Sequence, residues 1–137
     1  MSQYSNFTFD KDLELKTAGL VAASEDTAIL DLGDGFIDGD LVIDVSAIEI
    51  ATGDEIYTLS LEGSNVAAMT SGSVCLAKKV LGNLVAPMDA AAGDAGRYVV
   101  PFRNEENGTL FRYVRVSTVV SGAIATGINF SAFLAKK

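Results

Sequence analysis

An alternation of apolar and polar residues, cut into short pieces by Gly, Asp and Asn, constrains this chain more than any other feature. Tyr57, Leu59 and Leu61 alternate with Thr58, Ser60 and Glu62, the period of a strand buried on one face. Leu41, Ile43, Val45 and Ala47 form the apolar face of another strand. The parity then switches to Ile48 and Ile50, which places a bulge or bend near Ala47. Thr52-Gly53-Asp54 supplies the turn between these two strands, Thr27–Leu32 reads as a short strand, and Gly33–Asp40 reads as a loop with two Asp-Gly pairs. Ser73–Leu81 fits either a strand or a short helix. The sequence shows no repeat, heptad or convincing amphipathic helix. The expected fold is all-β, a jelly-roll-like antiparallel β-sandwich of about eight strands.

A chain of 137 residues is one domain, long enough to bury a core. Residues 1–16 are expected as an extended N-terminal arm or first strand, with Phe7–Leu15 as the segment that gives the strand or the arm. Residues 83–96, NLVAPMDAAAGDAG, read as a long loop; loops of that length in a compact domain tend to carry function or move.

The last forty residues read as strand, tight loop, strand, Gly-rich turn, strand. All four arginines lie in the first half of this stretch, among Tyr98, Phe102, Phe111 and Tyr113. A two-residue Asn107-Gly108 loop in one long hairpin would set Arg103 opposite Arg112, a like-charge pair that destabilises a ladder. A three-residue loop, Glu106-Asn107-Gly108, avoids that conflict and is the expected register, with Phe102, Val100 and Tyr98 on the core face. The opposite face would then carry Arg97, Arg103, Phe111, Tyr113 and Arg115. Arginine beside aromatics is what contact surfaces are enriched in, so these five are the candidate protein interface; the alternative is that the N-terminal arm or the second sheet covers them within the monomer. Pro101 cannot donate to a ladder, which puts its strand at an edge or a bulge.

Net charge is −8, unevenly placed: Met1–Glu62 holds 14 acids and 2 bases, Gly63–Lys137 4 acids and 8 bases. The simplest reading is a solvated acidic surface with one basic strand pair; alternatively the two halves are joined by charge within one fold, or one copy is joined to the next. A chain this acidic is a poor nucleic-acid binder, because that affinity comes from neutralised phosphates. No apolar run is long enough to cross a bilayer, and the N-terminus has no secretion-signal pattern.

Catalytic chemistry has little to draw on. The chain has no His and no Trp. Its one cysteine, Cys75, has no His to activate it and is expected as a small buried core residue. GDGFIDGD lacks the lysine and the strand–helix context of a phosphate loop. Asp31, Asp34, Asp38 and Asp40 are weak candidates for Ca²⁺, since they miss the EF-hand spacing and have no closing Glu; as turn residues they serve backbone geometry. No catalytic residue and no cofactor are assigned.

The segments TAILDLGDG, GDLVIDVSAIEI, YTLSLEGSN, GRYVVPFRNEENGTLFRYVRVSTVVSG and TGINFSAFLAKK together resemble the small jelly-roll cement (decoration) proteins of tailed bacteriophage capsids. Such proteins often show an early IDLG-like strand, a mid-chain L-x-x-S strand and a late RYVRV strand pair with a short apolar last strand. The resemblance runs from about Thr27 to Lys137 and its motifs are structural. It implies a non-enzymatic protein, made in the host cytoplasm, that sits on the outside of the virion and bridges neighbouring major capsid proteins as a homodimer or other homo-oligomer. A tail or baseplate adaptor and a carbohydrate-binding jelly roll are the alternatives.

Overall fold

The computed structural model describes residues 11–51, 53–82 and 94–136. A single turn of 3₁₀ helix, Lys11–Leu13, leads into strand β1, Glu14–Val21. Then come β2 (Glu25–Asp26), β3 (Leu30–Asp31), β4 (Asp38–Ile48), β5 (Ile56–Ser64) and β6 (Val74–Gly82). The chain continues through β7 (Gly96–Arg103), the short hairpin β8 (Glu105–Glu106) and β9 (Thr109–Leu110), and ends with β10 (Tyr113–Ser121) and β11 (Ile128–Lys136). Residues 1–10 of the expected arm and 83–93 of the expected loop lie outside the described residues.

One sheet runs β1-β11-β4-β7 and the other β2-β10-β5-β6, with β3 also on β10. Every pairing is antiparallel. With β2 and β3 counted as one interrupted strand along β10, this is the interleaved order of a jelly roll, two Greek keys folded over each other. The β-sandwich expected from the sequence is the fold observed.

The alternation explains the layers. Leu41, Ile43 and Val45 of β4, Tyr57, Leu59 and Leu61 of β5, Val114 and Val116 of β10, and Phe130, Ala132 and Leu134 of β11 are all buried in one shared core. Each large side chain buried there stabilises the fold by about 1.5–3 kcal/mol. The parity switch in β4 is a bulge: Val45 pairs with Phe130 and Ala47 with Asn129, so Ser46 is the extra residue. Ser73–Leu81 resolves as strand β6, and its weak periodicity has a cause. Leu61 pairs with Ala77 and Glu62 with Cys75, so Leu76 is inserted and parity reverses midway.

Two expectations are overturned. The arginine segments do not form one hairpin: β7 pairs with β4 in the first sheet, β10 with β5 in the second. The ladder between them is only β8 with β9, closed by a two-residue turn in which Asn107 (φ 53°) and Gly108 (φ 84°) both take positive φ. Arg103 and Arg112 never come opposite each other, because the chain leaves one sheet and enters the other between them. Cys75 is exposed, since the β6 bulge turns it outward beside Glu62.

Candidate functional site

The five arginine-and-aromatic candidates do not share a surface. Arg97 and Arg103 lie on β7, Tyr113 and Arg115 on β10 in the opposite sheet, and Phe111 is buried at the crossing between them. Arg97 forms a two-pronged ion pair with Asp44 on the neighbouring strand β4 (Nε to Oδ1 2.6 Å, second nitrogen 2.9 Å), and its guanidinium stands 5.7 Å from the Phe133 ring. The Asp44 carboxylate raises the Arg97 pKa above its usual value. Arg115 pairs with Glu62 directly across the ladder (3.0 Å) and lies 3.6 Å from Asp26. Arg103 is 3.7 Å from Glu105.

Arg112 answers the question about the Asp cluster. It donates to both oxygens of Asp31 (2.7 and 3.0 Å) and to Asp34 (3.1 Å). Asp31 also accepts the Gly33 amide, so the carboxyl is held below its usual pKa, first by Arg112 and then by that amide. Asp38 and Asp40 instead lie on β4 beside β7. Among the described residues no group of three or more His, Cys, Asp or Glu is placed to hold a metal.

The charge asymmetry of the sequence now has a structural reading. Arg97, Arg112 and Arg115, all from the second half, reach Asp44, Asp31, Asp34, Asp26 and Glu62, all from the first. The jelly roll interleaves early and late strands, so these pairs join the two halves within one molecule.

Three polar clips were not foreseen. Asn104, fully buried at the crossing from β7 to β8, accepts the Ile37 amide (2.8 Å) and donates to the Gly35 and Phe111 carbonyls (2.9 and 3.1 Å). Its backbone bonds Ile37 and Phe111 as well. Lys16 donates to the carbonyls of Thr17, Gly19 and Phe130 (3.0–3.1 Å), which closes the irregular stretch of β1 onto β11. Burial lowers the Lys16 pKa, against the pull of Glu25. At the other end of the sandwich, Glu49 accepts the amides of Ala125, Thr126 and Gly127, and buried Glu55 accepts those of Gly53 and Asp54. The Tyr57 hydroxyl donates to the Glu49 carbonyl (2.9 Å); burial, then the two nearby carboxylates, push its pKa up to about 12.

The amides of Thr126 and Gly127 hold the Glu49 carboxyl below its ordinary value of 4.5. A depressed folded-state pKa gives stability that is present above the unfolded value and is lost as pH falls through the folded one. Glu49→Gln is therefore expected to melt lower than the parent at pH 7, and the gap should close as both are acidified below the glutamate range. Melting curves from pH 7 to pH 2 check this; a constant gap would assign the effect to shape instead of charge.

The described surface depressions are shallow. One of about 260 Å³ on the outer face of the first sheet is lined by Glu14, Lys16, Asp44, Arg97 and Phe133, where Arg97 and Asp44 are already bound to each other. Another, of about 400 Å³, is lined by Cys75, Leu76, Arg103, Glu105, Glu106 and Asn107. No protein-family model matches the chain, and comparison with curated proteins finds no match.

Proposed function

We propose that this protein is a non-enzymatic structural component that binds other polypeptides, and specifically a cement protein on the outside of an icosahedral bacteriophage capsid. The observation that carries the reading is where its motifs fall. The segments that resemble capsid cement proteins supply β3, β4, β5, β7, β10 and β11, most of the jelly roll. The arrangement of charge agrees with it: the arginines are committed to internal ion pairs and the chain carries net charge −8, which suits a surface that does not contact the genome.

In this reading the partners are the major capsid protein and further copies of the chain. A sandwich held by polar clips can touch several neighbours at once, and many weak tethered contacts sum to a firm hold. The test uses particles assembled without the chain. Added purified protein is expected to bind them saturably and to raise the temperature at which they rupture. Particles that stay bare would remove the capsid assignment.

A further inference from the structure

One end of the sandwich gathers three loops, and each exposes an apolar side chain: Phe36 (55% exposed) before β4, Val66 (39%) after β5, and Leu110 (39%) at the end of β9. Single exposed apolar residues are ordinary. These three are set apart by the bonds that gather their segments. Asn104 ties Gly35, next to Phe36, to Phe111, next to Leu110. Asn65, next to Val66, donates to the Leu110 carbonyl (2.8 Å) and accepts the Arg112 amide (3.1 Å). Arg112 in turn holds Asp31 and Asp34 on the first loop.

The Val66 loop is fixed from below. Met69 is buried with φ 51°, a conformation non-glycine residues rarely adopt, and its amide bonds the Val66 carbonyl. Ser64 bonds both the Ser71 carbonyl and the Val66 amide. Side chains presented on loops already ordered lose little entropy when they dock.

The charge around the three tips selects the partner. Asp31, Asp34, Asp38, Glu105 and Glu106 surround them, against Arg103, Arg112 and Lys136. Among the described residues, five acids against three bases leave this rim acidic. Two such ends would repel each other, so a second copy of the chain docked end to end is disfavoured.

We propose that this end, with Phe36, Val66 and Leu110 as its apolar contacts, is the surface through which the chain docks on a different protein whose apolar sockets lie in a positively charged rim. The inference rests on the structural-binding reading above and names the surface that reading needs.

The experiment measures co-sedimentation of purified chain with particles assembled without it, across a salt series. The double variant Phe36→Ser/Leu110→Ser is expected to keep the parent melting temperature and to lose affinity about tenfold or more. Glu106→Lys, a single exposed change, is expected to bind several-fold more weakly at low salt and to show a flatter salt dependence; it also stands in if the double variant does not fold. Parent binding with full binding by the variants overturns this surface and leaves the capsid reading intact. No parent binding overturns both. A parent dimer, seen by sedimentation velocity and dissolved by the double variant, overturns the partner assignment in favour of a second copy.

Discussion

Asn104→Ala is expected to cost about 3 kcal/mol of folding stability, because a buried group left without its hydrogen bond costs about 1–3 kcal/mol. The substitution removes a fully buried side chain that partners the Ile37 amide and the Gly35 and Phe111 carbonyls, the last of these bonds buried and the other two partly so. These groups belong to the loop before β4 and to the crossing between β7 and β10, which Asn104 ties together, so truncation also loosens the one from the other. Asn104→Asp keeps the acceptor for Ile37 but turns two donor contacts into carboxylate–carbonyl contacts, so it should rescue little at neutral pH. Urea unfolding checks both: the midpoint should fall with an unchanged slope. A loss under about 0.5 kcal/mol, the range of ordinary surface substitutions, would mean that water replaces the amide and that Asn104 is no clip.

Gly127→Ala is expected to cost about 2–4 kcal/mol, from strained backbone and a steric clash together. Gly127 has φ +104°, where a side chain is strained, and an added Cβ would lie 2.2 Å from the Val21 carbonyl oxygen. The obstacle is backbone, so no rotamer change relieves it. Either β1 moves away from β11, or the turn held by Glu49 opens, since the Gly127 amide and carbonyl bond the Glu49 carboxylate and amide. Amide exchange should accelerate first at Leu20 and Val21. Wild-type exchange along β1 would show that the edge tolerates the methyl group and that the close approach carries no structural role.

The sequence made the layers legible because burial on one face imposes a period of two. That is why β4 and β5, and even a bulge or bend near Ala47, could be read directly; the structure makes it a bulge at Ser46. Pairing was harder. The partner of β7 is β4, more than fifty residues earlier, and nothing local in RYVVPFR points to it. Avoiding a like-charge pair favoured a shifted hairpin register, whereas the chain avoids it by sending Arg103 and Arg112 to different sheets. The interface candidates then dispersed with the hairpin.

Asn104, Glu49 and Lys16 were missed because their roles depend on backbone groups brought from distant segments. In the sequence they are one more loop Asn, one more acid and one more base. The signal that could have flagged Asn104 is its position between an apolar strand and an Asn-Gly turn, where a corner needs side-chain hydrogen bonds to satisfy its backbone. The charge asymmetry left a solvated acidic surface, a join within one fold and a join between copies all open; the ion pairs of Arg97, Arg112 and Arg115 make a join within the molecule.

The claim that this jelly roll reinforces a capsid is tested most directly by counting its copies in purified virions against the major capsid protein, by quantitative mass spectrometry. Many copies in a fixed ratio to the shell protein are predicted. A handful per particle would make it an adaptor at a unique vertex or tail, and none would contradict the account outright.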